Sequence, residues 1–526
     1  MKFLPLLVAL AVLQGDLLLA QQPGKWGDQG DGTYANPVIP ADFSDIDIIK
    51  VGKEFVAMSS TFQYSPGVAL LKSRDLVNWK VVGHAVPDVR QIGPEMNWDK
   101  MGRYNFGIWA GAIREHAGKF WVYFGTLQEG YFMTTASRIE GPWEPLTKVM
   151  KDPGWDDCCP FWDDDGQMYL VGSRISRDPA NGKGYNIHLM KLTPDGKAIV
   201  PGSDRIIHQS NGSEANKLYK INGYYYHYYS EVHREGRVVM MNRSRSLDGP
   251  WETRQLNHAE RNPQADPNQG GLVELEDKSW WFFTQNGSGK WTGRTAQLLP
   301  VHWIDGWPIL GEPDKDGIGT MVWSHRKPID GEEPSARRFS DDFSTPSLAP
   351  EWEWNHHPRD EKWSLTERPG FLRLHAFRPL QPGNFLKVGN CVTHRVYGSA
   401  HGQVTTKLDV SQLAPGQNAG LCLFHGSAGW IGATCKEGRK YVAQVSDGQW
   451  TVGPELKGAD LWARADIDAN GKVTWAYSID GKEFQPLGRP FQCGWFKYRG
   501  TRIGLFTYNN DGENGIVDFD DFVYTY

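Results

Sequence analysis

Short apolar runs bounded by turn residues recur along the chain before residue 310, and long stretches with a 3.6-residue period are scarce. Five runs are rich in aromatic and β-branched residues and follow a turn. They are VGKEFVAMSS from Val51, AGKFWVYFG from Ala117, DGQMYLVGS from Asp165, INGYYYHYYS from Ile221 and EDKSWWFFT from Glu276. Runs of this length and composition read as strands. They are spaced by about 50–65 residues, close to one four-stranded unit. A second repeat lies inside the first. SRDLVNWKVV, SRIEGPWEPL and SRSLDGPWETR each read as strand end, turn, Trp, strand, with Trp79, Trp143 and Trp251 equivalent. Five repeats predict an all-β fold with five blades around an axis, a five-bladed β-propeller.

The pattern breaks at HRKPIDGEEPSARR, His325 to Arg338, which is rich in Pro, Gly and charge as linkers are. Beyond it, alternating runs resume: FLRLHAF, GQVTTKLDV, AGLCLFHG, KVTWAYSIDGKEF, TRIGLFTYN and GIVDFDDFVYTY, with Asp-Gly and Asn-Gly turns between them. This predicts a propeller over residues 21–325, a linker over 326–338 and one β-sandwich over 339–526.

Composition agrees with an all-β chain of 526 residues: 23 Trp, 20 Tyr, 23 Phe and 59 Gly. A chain this long exceeds one hydrophobic core. Net charge is −6 with no basic cluster, which argues against nucleic acid as a partner. Met1 to Ala20 has the layout of a secretory leader: Lys2, an apolar run from Phe3 to Leu13, and a cleavage point after Ala20. No other segment is apolar enough to span a membrane, so the expected product is exported, to the periplasm or beyond. Of the six cysteines, adjacent Cys158 and Cys159 are poorly placed to bridge each other, and no zinc-type CxxC occurs. Free buried thiols are expected, with a bridge in the C-terminal part left open.

Three carboxylates carry the candidate chemistry: Asp45 in DFSDIDII, Asp157 in GWDDCCPFWDDDG and Glu214 in NGSEANKLYKINGYYY. Hydrolysis of a glycosidic bond needs an acid on the leaving oxygen and a base on the attacking water. A third carboxylate can tune the acid. The three precede the first, third and fourth aromatic strands, so each takes a similar place in a different blade. The innermost strands of a propeller line its axis, where residues distant in sequence meet. Asp156 and the DDDG run, Asp163 to Asp165, read instead as turn carboxylates.

NPVIPADFSDIDIIKVG, SSTFQYSPGVALLKSRDLVNW, GIWAGAIREHAGKFWVYF, DDCCPFWDDDG, EANKLYKINGYYY, NQGGLVE and LLPVHWIDGWP resemble, in this order, the blade motifs of glycoside hydrolase family 43. SDDFSTPSLAPEWEWNHHP and DFDDFVYTY resemble the C-terminal concanavalin-like sandwich of its β-xylosidase/α-L-arabinofuranosidase branch. The resemblance implies an inverting mechanism. Asp45 would be general base, Glu214 general acid, and Asp157 the modulator whose charge keeps Glu214 protonated. It also implies that Arg294 contacts sugar hydroxyls and that Phe62 and Trp109 form walls of the sugar pocket. Tyr498, beside Phe496 in a sandwich loop, is a candidate for the same wall.

The sequence departs from the family pattern at several points. Ser44 and Ile46 stand where Pro often flanks the base, Cys158 where Pro follows the modulator, and Gly111 in place of the Pro of WAP. Gln269, in NQGG, stands where many members have an axial His, and Gln is the weaker metal ligand. Asp342 and Asp520, near the ends of the sandwich, are candidate ligands of a structural Ca2+. No cofactor is required for the implied catalysis. The expected activity is a secreted exo-glycosidase on plant cell-wall oligosaccharides or polysaccharides. An α-L-arabinofuranosidase comes first and a β-D-xylosidase a close second. An exo-galactosidase, an endo-arabinanase and a non-catalytic glycan-binding propeller are the alternatives.

Overall fold

The computed structural model describes residues 25–175, 184–260 and 267–526. The leader expected over 1–20 lies outside them. The chain is all-β: among the described residues the only helical pieces are four three-residue 3₁₀ turns. None is a helix long and apolar enough to cross a membrane.

The first part forms five four-stranded antiparallel sheets in chain order. Their first strands are Ser44–Val51, Gly111–His116, Trp155–Trp162, Ser213–Ile221 and Pro267–Glu274. The five aromatic runs form the second strands: Glu54–Ser60, Lys119–Thr126, Met168–Ile175, Tyr224–His233 and Trp280–Asn286. Trp79, Trp143 and Trp251 each lie between the third and fourth strand of a sheet. The aromatic repeat is therefore a packing repeat, in which each sheet buries rings against its neighbour.

Apolar clusters join consecutive sheets. Met58 and Leu70 meet Ile113 and Phe124 between the first two. Tyr131 and Met133 meet Trp155 and Leu170 between the next. Val171 and Leu189 meet Leu218 and Tyr229, then Tyr228 and Met241 meet Phe282 and Leu299. A fifth cluster sets Ile48 and Phe55 against Val273 and Phe283, joining the last sheet to the first. The segment before the first sheet supports this closure. Val38 donates its amide to Ala296 O at 2.9 Å, and the Tyr34 hydroxyl donates to Leu298 O at 2.8 Å.

The second part is built on two large antiparallel sheets of nine and eight strands, the eighth strand of the latter coming from the first part. Their inner faces share one core, with Val404, Leu408, Leu461 and Ala463 on one side and Leu421, Leu423, Ile431 and Leu505 on the other. All six cysteines are free and buried.

The two parts are joined more closely than a linker implies. Tyr64–Ser65 pairs with Glu353–Asn355 and so extends the eight-stranded sheet. At the edge of the stretch read as linker, Ser324–Arg326 pairs with Thr33–Ala35. Lys327 is buried in ion pairs with Asp28 at 2.5 Å and Asp75 at 3.2 Å. The charge that suggested a solvated spacer is here spent on docking.

Candidate active site

Four of the five first strands break their ladder at the same place. Ser44 pairs with Ser60 and the ladder resumes at Asp47–Met58. Asp156 pairs with Ser173 and it resumes at Cys159–Val171. Glu214–Ser230 is followed by Lys217–Tyr228, and Pro267–Asn286 by Gly270–Thr284. In each, two residues oppose one, which is a β-bulge; it re-aims side chains that a regular strand would send to alternate faces. In three of the four, the first bulged residue has a positive φ: 56° at Asp45, 48° at Asp157 and 67° at Ala215. Non-glycine residues held there are strained, and such strain concentrates at functional sites.

The bulges open onto one cavity of about 430 Å³. Asp45, Asp157 and Glu214 all line it, as do Phe62, Trp109, Gln269, Arg294 and Tyr498. Residues separated by up to 453 positions in sequence thus share one wall, those of the first part carried by strands of several sheets or the segments joining them and Tyr498 by a sandwich loop.

Three side chains orient Asp45. Arg294 approaches Oδ1 at 2.9 Å, the Ser60 hydroxyl donates to Oδ2 at 2.5 Å, and the Gln285 amide donates to Oδ1 at 3.4 Å. The Asp45 backbone N–H in turn donates to Gln285 Oε1 at 2.5 Å. Glu214 pairs with Arg237 at 3.1 Å, and its side chain is about one-quarter exposed. Asp157 is buried and its Oδ1 has no hydrogen-bond partner. Burial first, then the charges of Glu214 and Asp45, push its carboxyl up to about 7. Behind it, Asn216 donates to the Asp157 carbonyl at 2.9 Å and is held by His227 at 3.0 Å. Burial pushes His227 down to about 3, so it is a neutral spacer rather than a proton carrier.

Residues 34–308 match the model of glycosyl hydrolases family 43, and residues 340–525 match that of the β-xylosidase C-terminal concanavalin A-like domain. The chain belongs to glycosyl hydrolase family 43. A β-xylosidase of Formosa agariphila is 35% identical over 549 residues, covering 96% of this chain and 92% of that protein. A non-reducing-end α-L-arabinofuranosidase of Bacteroides ovatus is 32% identical, covering 70% of this chain and 68% of its own. Among solved structures, a bifunctional GH43-CE protein of Bacteroides eggerthii superposes with a TM-score of 0.80 at 30% identity. That match covers 96% of this chain but 64% of the other.

In this family 43 chain the sandwich completes the pocket wall. Tyr498 packs edge-on against Trp109 with ring centroids 5.8 Å apart, and the Arg294 guanidinium lies 5.3 Å from the Tyr498 ring. Trp109 meets Phe62 at 6.1 Å, and Phe62 carries the Arg499 guanidinium at 4.6 Å. Phe496, the other aromatic of that loop, turns away onto Tyr104. Behind the wall is a buried ion cluster. Glu353 pairs with Arg395 at 2.7 Å and Arg502 at 2.8 Å, and Asp42 with Arg499 at 3.0 Å.

Several lining residues escaped the sequence reading. Asp156, expected in a turn, is a buried strand residue on the cavity wall. The bulge is the reason, since it turns two consecutive carboxylates toward one space. The turn expectation holds for Asp163 to Asp165, which form the hairpin closed by Gly166 N–H to Asp163 O at 2.9 Å. Tyr185, Arg237, Asn268 and Trp495 also line the cavity. Of these, Asn268 had a signal as the head of NQGG and Trp495 as a neighbour of Phe496 and Tyr498.

Gln269 is buried in the wall with its Nε2 unpartnered. Asp342 and Asp520 lie near enough for the charge of Asp342 to help raise Asp520, after burial and Asp521. Asp342 Oδ1 is already occupied by the Ser344 amide at 3.1 Å. Two carboxylates fall short of the six to eight oxygens Ca2+ takes. No cluster of three or more His, Cys, Asp or Glu suited to a metal occurs among the described residues.

Proposed function

We propose that this family 43 hydrolase is an inverting exo-glycosidase, with its five sheets forming the blades of one propeller around the active site. One observation carries the reading. Asp45, Asp157 and Glu214, from three different sheets, line a single cavity of about 430 Å³ walled on one side by Trp495 and Tyr498 of the sandwich. A cavity of that size encloses a small ligand rather than a polymer stretch, which favours removal of terminal sugars.

Asp45, oriented by Arg294, Ser60 and Gln285, is the base. It takes a proton from the water as the water oxygen bonds to the anomeric carbon. The bond from that carbon to the leaving oxygen breaks, and Glu214 gives its proton to that oxygen. Asp157 is buried beside the charges of Glu214 and Asp45, which with burial push its carboxyl up to about 7. Arg294 and Gln269, with Phe62 and Trp109, hold the sugar. Both proton transfers run through side chains.

The terminal sugar is β-D-xylose or α-L-arabinofuranose. The sequence reading placed arabinofuranose first. The Formosa agariphila relative named β-xylosidase, matched over nearly its whole length, moves β-D-xylose ahead of it. The substrates are plant cell-wall oligosaccharides or polysaccharides, and the pattern of residues 1–20 supports export.

The test is hydrolysis of aryl β-D-xyloside beside aryl α-L-arabinofuranoside, with Asp45→Ala and Glu214→Gln as controls. A clear preference for the xyloside, lost in Asp45→Ala, is expected. A folded wild-type protein that cleaves neither, yet binds glycans as well as Glu214→Gln does, would make it a glycan-binding protein.

A further inference from the structure

The bulged strands are equivalent position by position, and that equivalence singles out Asp156. It occupies in the third sheet the ladder position that Glu214 occupies in the fourth. Each is the last paired residue before a bulge, opposite a serine, Ser173 for one and Ser230 for the other. Both side chains line the same cavity.

Their surroundings differ. Glu214 has Arg237 at 3.1 Å and Asp45 has Arg294 at 2.9 Å. Asp156 is only 6% exposed, and its Oδ1 has no hydrogen-bond partner. Its space is kept open by Gly125. A side chain there would begin 3.1 Å from the Asp156 Cα and 3.4 Å from Oδ1. A buried oxygen left unmet costs stability, so one that persists on a cavity wall points to a ligand that completes it.

We propose that Asp156 is a specificity-determining residue whose carboxyl group donates a hydrogen bond to a hydroxyl of the terminal sugar. This rests on the glycosidase reading above and adds a contact to it. Burial first, then the charges of Asp157, Glu214 and Asp45, hold Asp156 well above the ordinary carboxylate range, which favours the form that carries an O–H. A neutral acid also avoids crowding one more negative charge into a wall that already holds three carboxyl groups. A site built to bond a hydroxyl discriminates strongly against sugars that lack it at that place.

The experiment compares wild type, Asp156→Ala and Asp156→Asn on the better aryl glycoside, reading kcat, KM and the inhibition constant of the released monosaccharide. Asp156→Ala should raise KM and the inhibition constant together by at least about tenfold, with a much smaller change in kcat. Asp156→Asn, which keeps an N–H donor in nearly the same shape, should recover most of that loss. Three results would overturn the proposal: KM and inhibition constant within about twofold in Asp156→Ala, a fall in kcat alone, or an Asn variant as impaired as Ala. If wild type cleaves neither glycoside, the hydrolase reading fails on its own. Calorimetric binding of xylose and arabinose then decides Asp156: weaker binding by Asp156→Ala supports the contact, and equal or absent binding rejects it.

Discussion

The strands that line the cavity and the strands of the nine-stranded sheet are built on opposite plans. His401–Asp409 and Asp460–Asp468 alternate buried and less buried residues from end to end, one face in the core and one toward water. Trp155–Trp162 and Pro267–Glu274 are buried at nearly every position. They carry Asp156, Asp157, Asn268 and Gln269 where a core strand would carry Val or Leu. The first plan stabilises and is visible as a period of two. The second gives up the period at a bulge and gathers carboxylates on one wall. The candidate site sits where the local rule is broken, which is the expected place for function.

Substitutions can break this contrast, and the largest effect belongs to the bulges. Asp45→Ala should lower kcat/KM by about 10²–10⁴-fold on both aryl glycosides in steady-state assays. Glu214→Gln should lose as much on oligosaccharides and less on activated aryl substrates, whose leaving groups need little protonation. A loss in Asp45→Ala below about tenfold would show that the bulge residue is not the base.

Next comes the buried ion cluster that fixes the sandwich to the sheets. Glu353→Gln strands Arg395 and Arg502 and should cost about 3–5 kcal/mol in urea unfolding. Burial opposes the Glu353 charge, yet Arg395, Arg502 and His84 together hold its carboxyl well below its ordinary value of 4.5. A depressed carboxylate stabilises above its unfolded pKa and loses that effect as pH falls through its folded one. The gap between wild type and Glu353→Gln should therefore be full above pH 4.5 and close only in stronger acid.

Asp157 has the opposite sign. Its folded pKa, raised to about 7, lies above the unfolded value of 3.8, so the folded state binds the extra proton in between. Wild-type stability should fall from this source as pH rises from 3.8 to about 7, and Asp157→Asn should flatten that fall. Identical pH dependence in the two proteins would contradict the burial of Asp157 among like charges.

Smaller effects test the sandwich wall and the turns. Tyr498→Ala removes an aromatic contact worth about 1 kcal/mol and should raise KM by about fivefold, with kcat less affected. An unchanged KM would leave the sandwich with a purely structural part. Asp164, 83% exposed in its hairpin, should be replaceable by Asn within about 0.5 kcal/mol and without change in kcat/KM. The pair Asp156 and Asp164 then separates a wall carboxylate from a turn carboxylate only eight residues away.

Much of this was legible from the chain. The aromatic runs mark the second strand of each sheet, because burial of rings between sheets recurs with the repeat. The Asp45, Asp157 and Glu214 motifs stood out because each carboxylate sits next to a strongly patterned strand. Asp156 was hidden because alternation says that neighbours point apart, and a bulge leaves no mark in composition. Arg237 and Tyr185 were hidden because both reach the cavity from the third strand of their sheets, with no motif of their own. The ion cluster was hidden for another reason. Glu353 and Arg502 lie 149 positions apart, and only the folded sandwich brings them together.

The most direct measurement is the anomer formed first. Proton NMR of aryl β-D-xyloside hydrolysis, followed before mutarotation, should show α-xylose as the initial product, as a water activated by Asp45 opposite Glu214 requires. Initial β-xylose would mean that a carboxylate attacks the sugar directly, and would contradict Asp45 as a base.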